Sequence, residues 1–123
     1  MPTIVHFEIP AEDVQRAKKF YESLFGWKIE RMPGPHDYWM IATTSGQGEK
    51  GVDGGLMPKQ HPEHRPTNYI DVPSVDQYAA KAQQLGGKVV VPKMPVPGFG
   101  YFVVCVDTEG NCVGLWENDP AAA

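Results

Sequence analysis

The sequence predicts an α+β fold made of two β-α-β-β-β units. Three observations support this. The stretch VHFEIPAED at 5–13 returns in degenerate form as NYIDVPSVD at 68–76, a shift of 63 residues. Each copy runs from an alternating strand into a segment of helical periodicity. Under the same shift the aromatic pair Tyr38-Trp39 falls on Tyr101-Phe102. The whole chain, 1–123, reads as one domain, with a first module at 1–58 and a second at 67–118.

In the first strand, residues 3–9, Val5, Phe7 and Ile9 point one way while Ile4, His6 and Glu8 point the other, the period of a half-buried strand. DVQRAKKFYESLFG follows, with Val14, Ala17, Phe20, Tyr21, Leu24 and Phe25 at helical spacing. An Asp opens that helix and Gly26 closes it. WKIERM reads as a strand, PGPHD as a turn and YWMIATT as the next strand. The glycine-rich SGQGEKGVDGG leads into a last short strand at GLMP.

KQHPEHRP is a polar, proline-containing connector, and beyond it the order repeats. In NYIDV, Ile70 and Val72 share one face and Tyr69 and Asp71 the other, so Tyr69 falls on His6 and Asp71 on Glu8 under the repeat. SVDQYAAKAQQLGG supplies the second helix, with Ser74 and Gln77 at capping-box spacing and a double glycine stop. KVVV is a strand, PKMPVPGFG a loop, YFVVCVD a strand, TEGN a turn and CVGLWE the final strand. The AAA tail is expected to fray.

A formal charge of -4 with acids and bases interspersed argues against nucleic acid and anionic membrane as partners, because no basic run is present to release phosphate counterions. No apolar stretch reaches the ~18 residues of a membrane span, and MPTIVHFEIP lacks the regions of a signal peptide. The cytoplasm is the expected compartment and a small molecule the expected partner. Cys105 and Cys112 flank a turn and could face each other across a hairpin, although two thiols in a cytosolic chain are more often reduced.

One helix per module covers one face of a small sheet and leaves the other face in need of a partner. A duplicated unit meets this need by setting two curved sheets around a shared concavity. The side chains expected there are His6, Glu8, Tyr69 and Asp71, a polar set that is costly to bury unless hydrogen-bonded, wet or bound to something.

The segments VHFEIPAEDVQRAKKFYESLFGWKI, VPSVDQYAAKAQQLGGKVV and YFVVCVDTEGNCVGLWEND resemble the vicinal oxygen chelate superfamily, the glyoxalase, bleomycin resistance and extradiol dioxygenase family. The resemblance implies two β-α-β-β-β modules forming a partly open barrel, with many members paired as homodimers. In the family's metal-dependent members it further implies a divalent metal ion held by side chains from the first and last strands of each module. Carried over by position, those places are His6, Met57 or Pro58, Tyr69 and Glu117. Only His6 and Glu117 are ordinary ligands, so the implied set is incomplete for an ion that needs three or four N and O donors.

On this reading His6 and Glu117 are the candidate catalytic and metal residues, and Glu8, Tyr69, Asp71, Phe99 and Tyr101 the candidate substrate contacts. Glu117 is the candidate base for proton removal beside a carbonyl, and an ion would stabilise the enediolate that forms. Extradiol cleavage needs two imidazoles and a carboxylate on iron, and His36, His61 and His64 all fall in predicted loops. The equally weighted alternative for His6 and Glu117 is a hydrogen-bonded pair in a wet cleft. Trp39, Tyr101 and Trp116 either line the cleft or fill the core, with the core favoured. Phe99, between two glycines, is read as a lip over the cleft. Three functions remain open: a metal-assisted lyase, isomerase or dioxygenase; a metal-free binder of the bleomycin-resistance type; and a subunit without a ligand.

Overall fold

A computed structural model describes residues 1–123. The elements are β1 (Ile4–Ala11), α1 (Val14–Phe25), β2 (Lys28–Arg31), β3 (Trp39–Ala42), β4 (Gly54–Pro58), β5 (Thr67–Asp71), α2 (Val75–Gln84), β6 (Lys88–Val96), β7 (Gly100–Val106) and β8 (Cys112–Asn118). The predicted α+β order, β-α-β-β-β twice over, is therefore present. Strands of the first module lie in the order β2-β3-β4-β1 and those of the second in the order β5-β8-β7-β6. In each, the first and last strands pair in parallel and the remaining neighbours are antiparallel. Two compact units result: His6–Pro66, and Thr67–Ala123 together with Met1–Val5. No helix is long and apolar enough to cross a membrane.

Within His6–Pro66, α1 starts where Asp13 accepts the Arg16 amide at 3.0 Å and stops at Gly26, whose positive φ of 73° suits a residue without a side chain. Its inner stripe, Val14, Ala17 and Tyr21, packs with Phe7, Ile9, Trp27 and Trp39 around buried Ala11, Ile29, Ile41 and Leu56. Phe7 lies across Gly54, its partner on β4, where a Cβ would meet the ring. The remaining apolar side chains of α1, Phe20, Leu24 and Phe25, are exposed.

In the second unit α2 is capped by Ser74, which accepts the Gln77 amide at 3.1 Å. The core beneath it is Val72, Val75, Val103, Cys105 and Leu115. Here the structure corrects two expectations. PKMPV is not a loop: β6 runs on to Val96, pairing Met94 with Phe102 and Pro95 with Tyr101 after two register shifts. A proline donates no ladder hydrogen bond, and β6 tolerates two because it is the outermost strand and is already bulged. Nor is the alanine tail frayed, since Ala122 is 5% exposed and its carbonyl accepts the Gly98 amide. The cysteines are free, as the reading of reduced thiols expects. Cys105 pairs with Val113 and Cys112 with Val106, one step apart in register, so their side chains leave opposite faces of the hairpin.

Candidate functional site

His6 and Glu8 leave β1 on the face away from α1, two residues apart, while Phe7 and Ile9 turn to the core. A third group joins them. Tyr38 directly precedes Trp39 of β3; Trp39 packs under α1, and Tyr38 projects from the opposite face. Its phenol oxygen lies 2.7 Å from His6 Nε2 and its hydroxyl donates to Glu8 Oε2 at 3.0 Å. The imidazole and phenol planes are inclined by only 14°. Because the phenol proton goes to Glu8, His6 must supply the other one, so its proton sits on Nε2. Burial pushes the His6 imidazole below its ordinary range, and the carboxylates of Glu8 and then Asp53 oppose that shift in part. At neutral pH, therefore, a neutral imidazole, a phenol and an acid form a continuous hydrogen-bonded chain.

Gly55 makes room for it. This residue pairs with Glu8 on the neighbouring strand, and a Cβ there would fall on the Tyr38 hydroxyl. Sequence reasoning took Tyr38 only as a mark of the repeat. The available signal was the double glycine Gly54-Gly55, one bare position on each face of β4.

In the second unit the expected residues go separate ways. Tyr69 is 7% exposed, lies flat over Gly114 and meets Phe102 edge to face at 6.3 Å. Asp71 Oδ1 accepts both the amide and the hydroxyl of Thr3, at 2.7 and 3.2 Å, and these bonds hold its carboxyl below the usual range. Glu117 is not on the face that carries Tyr69. It follows Val113 and Leu115 along β8 onto the α2 side, where Oε1 accepts the Val75 amide at 2.9 Å, an N-terminal amide of the helix. Tyr101, its register partner, packs against the same core and carries Lys93 Nζ over its ring at 4.4 Å. Lys93 also pairs with Asp76 at 2.9 Å. Phe99 stands in the turn between β6 and β7, 63% exposed. Of the predicted residues, then, His6 and Glu8 meet through Tyr38, Tyr101 and Glu117 meet beneath α2, and Phe99 joins neither pair.

The donor set does not fit the divalent ion that the resemblance implies. His6 Nε2, a nitrogen an ion would use, is bonded to a phenol. Tyr69 is packed on Gly114, and Glu117 serves a helix end. No three His, Cys, Asp or Glu side chains are grouped to hold an ion. HPEH is no better suited: the His61 and His64 rings stack at 5.4 Å, and His64 Nδ1 accepts the Gln60 amide, which leaves the proton of the neutral ring on Nε2.

A family profile described as bleomycin resistance protein-like N-terminal matches residues 3–44, the stretch that contains His6, Glu8 and Tyr38. The Mycobacterium bovis protein CFP32, which is named as a glyoxylase, is 33% identical over 115 residues, 89% of this chain. The chain spans 43% of the length of that relative. A glyoxylase-like domain-containing protein of Didymella fabae is 34% identical over 85% of this chain and 84% of its own. Among solved structures, a glyoxalase/bleomycin resistance protein/dioxygenase superfamily member from Vibrio splendidus superposes with a TM-score of 0.67 at 11% identity, covering 97% of this chain and 100% of that one. A Streptomyces coelicolor methylmalonyl-CoA epimerase in complex with 2-nitronate-propionyl-CoA gives 0.67 at 15% identity, over 98% and 97%.

Proposed function

The chain belongs to the glyoxalase/bleomycin resistance/dioxygenase superfamily, and we propose that it acts on a small carbonyl-bearing molecule, moving a proton at the face formed by His6, Tyr38 and Glu8. The observation that carries this reading is the unbroken chain from imidazole through phenol to carboxylate. Proton transfer beside a carbonyl needs a base within reach and a donor for the oxygen that gains charge. The cluster offers both kinds of group in one place: the Glu8 carboxylate as acceptor, and His6 Nε2–H, held in place by the Tyr38 hydroxyl, as donor. The glyoxylase name of the 33% identical relative and the thioester held by the epimerase of similar fold support a carbonyl compound as the substrate class. The reading includes pairing into a homodimer, which sedimentation velocity tests directly.

A second reading, binding without turnover, is favoured by the bleomycin-resistance-like profile over the same residues. One experiment separates the two. Acyl-CoA thioesters and thiol adducts of 2-oxoaldehydes are incubated with the protein in D₂O, followed by NMR for deuterium uptake next to the carbonyl, with thermal shift run in parallel. Exchange that falls at least about 100-fold in Tyr38→Phe or His6→Ala supports proton transfer, within the usual range for a positioned acid or base. A thermal shift without exchange supports the binder, and neither response overturns both readings.

A further inference from the structure

The last strand of each module carries a glycine on the face away from its helix. In the first module this is Gly55, between Gly54 and Leu56, which face α1; in the second it is Gly114, between Val113 and Leu115, which face α2. In both modules a tyrosine occupies the space that a side chain at the glycine would fill. The hydroxyl end of Tyr38 lies over Gly55, and the ring of Tyr69 lies over Gly114. The two seats are built from different strands, since Tyr38 directly precedes β3 and Tyr69 belongs to β5. They reach the same result.

We infer that these two glycine seats make the faces phenol-lined instead of ion-binding: the chain keeps no resident divalent ion, and Tyr38 stands beside His6 as its positioning residue. The fold family's ion draws donors from the last strand of each module; Gly55 and Gly114 cannot supply one without expelling a tyrosine, and Met57 and Pro58, the places carried over on β4, have no side-chain nitrogen or oxygen. The one carboxylate within β8, Glu117, is turned to α2 and accepts Val75 N–H. What remains at the first seat is a contact of 2.7 Å between His6 Nε2 and the Tyr38 hydroxyl, a hydrogen-bond distance that commits the nitrogen an ion would use. A phenol both accepts and donates, so one hydroxyl fixes the His6 tautomer and engages Glu8 together. A metal ion offers neither the acceptor nor the donor half of that role. This inference concerns the chemistry of the face and stands whether or not the carbonyl substrate proposed above is correct.

The test uses the full chain with ZnCl₂, CoCl₂ and MnCl₂ as probes. After gel filtration, elemental analysis is expected to find far less than one ion per chain. Cobalt should give no visible ligand-field band, and millimolar ion should leave the melting midpoint unmoved. One ion per chain, lost in His6→Ala, overturns the inference. The positioning role is read by long-range ¹H–¹⁵N NMR of the His6 ring, expected to be protonated at Nε2 in the parent protein and to change in Tyr38→Phe. A His6 ring indifferent to that substitution also overturns it. Gly55→Ala should reproduce the change by displacing the hydroxyl; if this variant does not fold, Tyr38→Phe decides alone. A failed substrate search leaves both measurements in force, so the two proposals fail separately.

Discussion

Val113, Leu115 and Glu117 alternate along β8, and Val113 and Leu115 belong to the core beneath α2. The carboxylate must therefore leave on the helix side, where Val75 N–H has no intrahelical acceptor. Removing it leaves an amide without its side-chain acceptor, so Glu117→Ala should lose roughly 1–2 kcal/mol in urea unfolding, the cost of a lost helix cap. Glu117→Gln, which keeps an acceptor oxygen, should lose less, and equal losses would deny the capping role. The same alternation was legible in the sequence: counting back by twos from Glu117 reaches Leu115 and Val113, both apolar. The ligand place carried over by position to Glu117 conflicts with that alternation. Tyr38 was harder to read, because its contact with His6 joins residues 32 apart and depends on a bare position at Gly55 that gains meaning only once the strands are in register.

Elements were the most legible level. Both helices have local stop and start chemistry, Asp13 with Gly26 and Ser74 with the double glycine, and these act over three or four residues, within reach of a sequence reading. Ser74→Ala should cost about 1 kcal/mol for the same reason. Pro92 and Pro95 misled, because proline marks a break in most contexts and its tolerance on an outer bulged strand depends on strand order, a tertiary property. Limited trypsin digestion checks the correction. Lys50 lies in the exposed connection before β4, whereas Lys93 lies within β6 and is tied to Asp76 and the Tyr101 ring. The chain should be nicked after Lys50 well before Lys93, since cleavage requires local opening of the backbone. Equal rates would return PKMPV to a loop.

At the scale of the whole molecule, the depressed and raised groups define a window of pH for stability. His6 and His64 are both held below the ordinary 6.5, each with burial as the first cause. The unfolded chain therefore takes up protons before the folded one as pH falls through 6.5, and stability declines. Asp71, held by Thr3, and Asp107, held by the Asn111 and Glu109 amides, are depressed from 3.8. Their contribution is present above that value and disappears as pH falls through the folded pKa, adding a second acid step. Burial raises the Cys105 thiol from 9.0, so above that pH the unfolded state loses a proton the folded state keeps, and stability declines again. All of these shifts leave a plateau between about 6.5 and 9. Urea midpoints measured from pH 3 to 10 should trace it, with buffers matched in ionic strength because exposed carboxylates are readily screened. His6→Asn should shrink the step near 6.5 to the part owed to His64 while leaving the lower acid limb in place, since that limb belongs to Asp71 and Asp107. A first acid step that survives this substitution at full size would mean that His6 does not govern the proton balance of folding, and that the imidazole is less sequestered than its bond to Tyr38 requires.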